Sequence, residues 1–207
     1  MRTNTMHRIG RPLLVAGALI LGSVLWLSTG SMVRAADQAP LDEAWVDEAR
    51  VIARELPPRL MARLSKEIAA GGPEAAVGTC RDIAPAMAKQ ASSDTGWAIR
   101  RVSLKNRNPR AVPDDWERAV LQDFDRRAAA GEDPATLELY AVVDVDGVPT
   151  RRYMRALPTQ AMCLMCHGDP ALISPALRDR LAELYPDDRA TGYRVGDIRG
   201  AITLKRQ

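Results

Sequence analysis

The apolar residues of this chain recur at a helical period up to about residue 90 and in strand-like runs from residue 97 onward, a change that constrains the fold most. Three helices are expected before the change, over residues 41–56, 60–70 and 73–90. Pro57-Pro58 should break the first from the second, because proline lacks the N–H that a helix interior uses. Gly71-Gly72 should end the second helix, and Pro85 should bend the third, which carries Cys80 in its middle.

The strand-like half of the chain predicts an antiparallel sheet. Strands are expected over residues 97–104, 137–145, 148–157 and 198–204. Asp146-Gly147, between the second and third strands, favours a hairpin turn. A helix that begins at Pro113-Asp114 separates the first strand from the second, and a shorter helix is expected near residues 175–184. Helices followed by strands in this order predict an α+β fold.

Residues 1–35 have the organisation of an export signal. A basic segment (1–11) precedes an apolar stretch (13–27), and Val33-Arg34-Ala35 predicts cleavage after Ala35. The apolar stretch is shorter than the roughly 20 residues that a spanning helix needs, although residues 28–33 could lengthen it into an uncleaved anchor. We therefore expect residues 36–207 to form a single domain in the periplasm, attached to the inner membrane only if the leader is retained.

The net charge of +3 belongs to this leader rather than to the domain. The leader holds four arginines and no acidic residue, which leaves 25 of the 29 basic residues against 26 acidic ones. A nearly neutral domain gives no electrostatic reason to expect nucleic acid as a partner. The sequence also lacks a hydrolase triad, a phosphate loop or a metalloprotease helix, so we expect a protein that is not an enzyme.

Residues 163–167 read Cys-Leu-Met-Cys-His, the C-x-x-C-H attachment signature of c-type haem. Two thiols three positions apart reach the two vinyl groups on one edge of the porphyrin and form thioethers. The imidazole that follows is then held beneath the ring, where its neutral nitrogen binds iron. The motif therefore predicts one covalent haem c at Cys163 and Cys166 with His167 as the proximal ligand, and attachment outside the cytoplasm agrees with the leader.

Three other interpretations compete with haem. A Cys163–Cys166 disulfide suits an exported protein but explains neither His167 nor Cys80. A thioredoxin-like pair would need a βαβ setting, whereas the surroundings here are antiparallel. A Cys3His zinc site from Cys80, Cys163, Cys166 and His167 has the right ligands, but adjacent Cys166 and His167 would both have to bind one tetrahedral ion.

Spacing alone does not decide the ligand on the other face of the haem. His7 lies in the leader, so His167 is the only histidine of residues 36–207 and ligation by two histidines of one chain is excluded. The candidates are Cys80, a lysine, water, no ligand, or a methionine among Met61, Met87, Met154, Met162 and Met165. Cys80 also fits the role of a small apolar residue in a helix.

Four segments carry a resemblance to a known family, at residues 77–85, 100–117, 163–170 and 185–202. In their order and spacing they resemble a family of bacterial and cyanobacterial c-haem proteins, over most of residues 41–206. The resemblance implies a PAS-like fold in which His167 and the thiolate of Cys80 hold the haem iron. Members occur alone or as the extracytoplasmic part of signalling proteins.

These observations predict an exported monohaem protein with a redox role. Electron transfer to an unidentified partner is the first expectation, and a haem-based redox or gas sensor with a signalling partner is the alternative. One or two of eight basic residues should neutralise the haem propionates: Arg100, Arg101, Lys105, Arg107, Arg110, Arg151, Arg152 and Arg155. The others are expected on a solvated face.

Overall fold

The structure, a computed structural model, describes residues 43–207, so the expected export signal (1–35) and its cleavage site lie outside the described residues. The helices of this part are α1 (Ala44–Gly78), α2 (Ala84–Thr95), α3 (Asp115–Ala129), α4 (Leu164–His167) and α5 (Pro175–Leu184). The strands are β1 (Ala98–Val102), β2 (Glu138–Val145), β3 (Val148–Pro158) and β4 (Ile198–Arg206). Within residues 43–207, no helix combines the length and apolarity needed to cross a membrane.

The four strands form one antiparallel sheet in the order β1-β4-β3-β2, which confirms the α+β expectation. The last strand lies between the first and the third, with Ile202 opposite Arg101 of β1 and Arg155 of β3. Asp146 and Gly147 turn the β2–β3 hairpin with positive φ angles of 56° and 80°, as a turn of this type requires.

The first helix corrects one expectation. α1 continues through Pro57 and Pro58, so the predicted break there is wrong. A proline removes a helical hydrogen bond, but Ala53 and Leu56 hold the preceding turn against the core and the helix runs on. The backbone does leave the helical conformation at Gly71 and Gly72, where φ of Gly72 is 77°, as the sequence predicts.

Each face of the sheet carries its own core. α1 covers one face through Trp45, Val46, Ala49 and Ala53, which pack with Trp97, Ile99, Tyr153, Ile202 and Leu204. α3 covers the other through Val120, Leu121 and Phe124, which pack with Val102, Leu137, Met154, Ala156, Ile198 and Ala201. Fully burying a side chain such as Phe124 contributes about 1.5–3 kcal/mol.

A third apolar cluster joins the end of α1 to α5. Val77 packs there with Ile173, Leu177, Leu181 and Tyr185, and Cys166 packs against the cluster from the attachment motif. Because Cys80 follows Val77 by three residues, this cluster fixes the segment that carries Cys80 against the segment that carries Cys166 and His167.

Candidate functional site

The C-x-x-C-H motif folds into a tight helical loop. A 3-10 turn (Ala161–Cys163) leads directly into α4 (Leu164–His167), and Gly168 closes the loop with its N–H donating to the Leu164 carbonyl at 2.9 Å. A side chain at Gly168 would place its Cβ only 2.6 Å from that carbonyl oxygen, so the loop requires glycine there. Cys163 and Cys166 are half-buried free thiols, which contradicts the disulfide interpretation.

His167 is held in a single tautomer. Its Nδ1 lies 2.6 Å from the carbonyl oxygen of Ala190, and since a carbonyl only accepts, Nδ1 carries the proton and Nε2 keeps its lone pair. Burial, followed by the guanidinium groups of Arg199 and Arg107, lowers the pKa of the imidazole to about 2. The ring is therefore neutral at physiological pH, with one nitrogen available to a metal.

The backbone around His167 is fixed by a second segment, residues 188–193. Tyr193 donates its N–H to the His167 carbonyl at 3.0 Å, and Gly192 donates to the Gly168 carbonyl at 2.7 Å. The two bonds flank the one that Ala190 makes to the ring. The imidazole is thus held both by its own nitrogen and by the peptide that bears it.

The ion pair between Arg107 and Asp188 stabilises this arrangement. The buried Arg107 donates from Nε to Asp188 Oδ2 at 3.0 Å and from Nη2 to the carbonyl of Cys166. The other oxygen of Asp188 accepts the N–H of Ala190 at 2.8 Å. Arg107 and Asp188 therefore connect the attachment loop to the residue whose carbonyl orients His167. Such outer contacts set the orientation and basicity of a ligating imidazole.

Tyr193 covers one side of the His167 ring. The two ring centroids are 6.4 Å apart and the planes meet at 88°, an edge-to-face contact. The Lys105 ammonium lies 4.5 Å from the Tyr193 centroid and the Arg199 guanidinium 5.2 Å from it. Tyr193 is thereby placed beside the predicted ligand, as a packing residue with two cations over its ring.

Cys80 lies in an irregular turn rather than in a regular helix. Residues Thr79–Ile83 form a π-helical turn in which the N–H of Ala84 donates to the Thr79 carbonyl, five residues back. Turns of this kind occur often at functional sites. The Cys80 side chain is exposed, yet the protein surrounding it raises the pKa of its thiol.

Cys80 and His167 face the same group of cations. Burial raises the pKa of the Cys80 thiol, whereas Arg101, Arg107 and Arg199 act in the opposite direction. Burial lowers the pKa of His167, and the same three arginines add to that effect. The proximal ligand that the motif predicts and the second ligand that the resemblance implies are therefore both within electrostatic range of the same three guanidinium groups.

Most of the predicted propionate partners are used elsewhere. Arg100 pairs with Glu117, Arg152 with Asp114, Arg155 with Glu138, and Arg107 with Asp188. Lys105 donates to the Thr191 carbonyl. The side chain of Arg101 makes no hydrogen bond or ion pair with any residue that the structure describes. Sequence reasoning missed Arg199, a buried arginine beside Gly200 in β4; an arginine among the mostly apolar residues at the start of this strand was the available signal.

The structure does not support the other ligand sets. Among residues 43–207, no group of three or more His, Cys, Asp or Glu side chains is arranged to hold a metal ion, which contradicts the Cys3His zinc alternative. Met154 is fully buried in the core beneath α3. Met162 contacts the Ser65 hydroxyl through its sulfur at 3.5 Å.

Comparison with known proteins gives two matches. The model of the Tll0287-like family matches residues 28–206. The structure of the chain is similar to the crystal structure of the cyanobacterial heme-protein Tll0287, with a TM-score of 0.61 and 25% sequence identity. That similarity covers 78% of this chain and 94% of the other. No curated protein matches the sequence.

Proposed function

The chain belongs to the Tll0287-like family, and from that premise we propose that it is an exported c-type haem protein with a redox role. Haem is the cofactor named for the solved relative. The finer assignments are one haem, joined to Cys163 and Cys166 by thioethers, with His167 and Cys80 as axial ligands. The proposal includes a periplasmic location and no enzymatic activity.

One observation carries the proposal: the Nδ1–H of His167 is committed to the Ala190 carbonyl, so Nε2 is neutral and free to bind iron. The two half-buried cysteines next to it are not joined in a disulfide, and thioether formation requires free thiols. Haem would supply one-electron chemistry at this place. The protein's own part is to hold the imidazole in one tautomer, through Ala190, and in one orientation, through Tyr193 and the Arg107–Asp188 pair.

Cys80 is proposed as the second axial ligand on the basis of the family resemblance. Its thiol has a raised pKa because burial disfavours the anion. Binding as a thiolate therefore needs a positive charge close to the sulfur, which ferric iron provides. Since an anionic sulfur stabilises ferric over ferrous iron, this ligand predicts a low reduction potential.

The attachment is tested by producing the full chain together with a c-type haem maturation system. Intact mass should show one added haem that resists acid–acetone extraction. Cys163→Ala and Cys166→Ala should each retain a single thioether, which shifts the absorption bands of the pyridine complex. Cys80→Ala is the matched control, because it removes a thiol that forms no thioether and should keep both covalent bonds. Colourless protein, or haem that is fully extractable, would contradict the proposal.

The proposed export and the proposed PAS-like fold rest on observations other than the attachment motif. N-terminal sequencing of periplasmic material should begin at Ala36, whereas recovery only in membranes with residues 1–35 intact would favour the anchor. The PAS-like assignment is supported by a central final strand, β4, beside β1, with the proposed ligands on segments outside the sheet.

A sensor is the second candidate function, and the irregular turn at Thr79–Ile83 favours it. A ligand on a π-helical turn can leave the iron when the turn returns to regular helix, which would link ligand loss to a movement of α2. Carbon monoxide separates the two functions. An electron carrier should keep both axial ligands and bind it slowly, whereas rapid binding to the ferrous protein would favour the sensor.

A further inference from the structure

Arg199 is a buried cation that forms no ion pair with any carboxylate of residues 43–207. It is 7% exposed, and its Nη1 donates to the Ser103 hydroxyl at 3.2 Å and the Lys105 carbonyl at 3.4 Å. Its Nε is fully buried and has no hydrogen-bond partner. Buried guanidinium groups are normally paired with a carboxylate, and an unpaired donor of this kind calls for an unaccounted acceptor.

Arg101 is a second cation whose side chain has no ion pair among residues 43–207, although it is exposed rather than buried. In β1 it lies two residues after Ile99, and residues two apart in a strand share a face, so Arg101 lies on the face of the sheet that α1 covers. Its side chain makes no hydrogen bond or ion pair with residues 43–207, while its backbone belongs to the β1–β4 ladder. Burial lowers the pKa of its guanidinium although the side chain is solvent-accessible, whereas Cys80 and Cys163 act in the opposite direction. Arg101 is thus within electrostatic range of both cysteines.

Among residues 43–207, no carboxylate is hydrogen-bonded to or ion-paired with the side chains of these two arginines. Asp188, a carboxylate that acts on Arg199, already accepts from Arg107 and from the Ala190 N–H. Two positive charges are left over next to the residues proposed to bind haem. A ligand with two carboxylates would balance them.

We propose that Arg101 and Arg199 bind the two haem propionates, so that the carboxylate edge of the haem lies against β1 and β4. This inference rests on the proposed function, and it selects Arg101 from the eight basic candidates and adds Arg199 to them. A planar guanidinium donates two parallel N–H groups to a carboxylate, and the free Nε of Arg199 is one such donor.

The test uses the haem-loaded full chain and the variants Arg101→Gln, Arg199→Gln and the pair together. Arg54→Gln, an exposed arginine on α1, is the control for the loss of one charge. The propionate bending band in the resonance Raman spectrum should shift in each site variant and stay in place in the control. Losing a cation beside the haem favours ferric iron, so each site variant should change the ferrous-to-ferric ratio at fixed potential by about tenfold. For one electron that is a midpoint about 59 mV lower.

Arg199→Lys is included in case Arg199→Gln fails to fold. It keeps the positive charge but not the planar fork of the guanidinium group. The ferrous-to-ferric ratio at fixed potential should therefore stay within about twofold of wild type, while the propionate band shifts. Wild-type bands in both site variants, with potentials equal to that of the control, would overturn the assignment and leave the haem proposal standing. Wild-type protein that contains no haem would instead overturn the proposed function.

Discussion

Asp188→Ala should disconnect residues 188–193, whose Ala190 carbonyl orients His167, from the attachment loop. Asp188 accepts from Arg107 Nε at 3.0 Å and from the Ala190 N–H at 2.8 Å, and the Ala190 carbonyl in turn accepts from His167. The substitution removes both acceptors and leaves a buried guanidinium without its carboxylate. It should therefore reduce stability and loosen the imidazole at once.

The magnitude follows from burial. The side chains of Arg107 and Asp188 are 8% and 15% exposed, so the pair is nearly buried. Removing one partner of a buried pair costs about 3–5 kcal/mol. Since Asp188 keeps some contact with water, the low end of that range applies, about 3 kcal/mol. With a urea m value of about 2 kcal/mol/M, the unfolding midpoint should fall by about 1.5 M.

The assay is urea unfolding followed by circular dichroism, with Asp187→Ala as the matched control. Asp187 is the exposed neighbour, and its removal should change stability by less than about 0.5 kcal/mol. In haem-loaded protein, Asp188→Ala should also shift the midpoint potential, because the imidazole loses its fixed hydrogen bond. A loss of under about 1 kcal/mol, with an unchanged potential, would refute the role given to the Arg107–Asp188 pair.

Three further predictions concern the site. Cys80→Ala should keep covalent haem but become high-spin or water-ligated, with a midpoint potential raised by about 0.1 V or more. Cys80→Met should restore six-coordinate iron, with a midpoint potential above that of wild type. An unchanged ferric spectrum and potential in Cys80→Ala would remove Cys80 from the ligand set. Gly168→Ala should lower the free energy of unfolding by about 1–3 kcal/mol and reduce haem loading, because the new Cβ would lie 2.6 Å from the Leu164 carbonyl oxygen. Gly78→Ala is the control: Gly78 has open space around it and a φ of −60°, so this substitution should raise the free energy of unfolding by about 0.5–1 kcal/mol. In haem-free protein the pKa of His167 is about 2 in the folded chain and 6.5 in the unfolded chain. Below pH 6.5 the unfolded chain therefore binds a proton at His167 that the folded chain does not bind. Stability should then fall by about 2 kcal/mol more between pH 7 and pH 5 in wild type than in His167→Asn, as urea titrations at the two pH values will show.

The fold could be predicted well because its signals are local. All four strands lie within two residues of the ends expected from alternation and from the Asp146-Gly147 turn. The capping box of Asp114 and Glu117 marks the start of α3 in the sequence as in the structure. The error at Pro57-Pro58 has a tertiary cause: the packing of Ala53 and Leu56 outweighs the local preference of the prolines.

The candidate site was predictable only in its motif. Cys163, Cys166 and His167 are adjacent, so their common role could be recognised from spacing. The groups that orient His167 come from elsewhere: Ala190 lies 23 residues away, and Arg107 lies 59 residues before Cys166. The buried side chain of Arg199 likewise donates to the hydroxyl of Ser103, which lies 96 residues away in the sequence. Such partners depend on tertiary contacts, which no single-sequence period encodes.

The two proposed axial ligands are held to very different degrees, and that difference decides where a bond would break. His167 has its ring nitrogen, its carbonyl and the next carbonyl bound by Ala190, Tyr193 and Gly192. Cys80 lies exposed in a π-helical turn, and its thiol has a raised pKa. Reduction of the iron removes one positive charge, which weakens the hold on an anionic sulfur far more than on a neutral imidazole. Any ligand loss on reduction should therefore occur at Cys80, and a sensor built on this chain would signal through the Thr79–Ile83 turn.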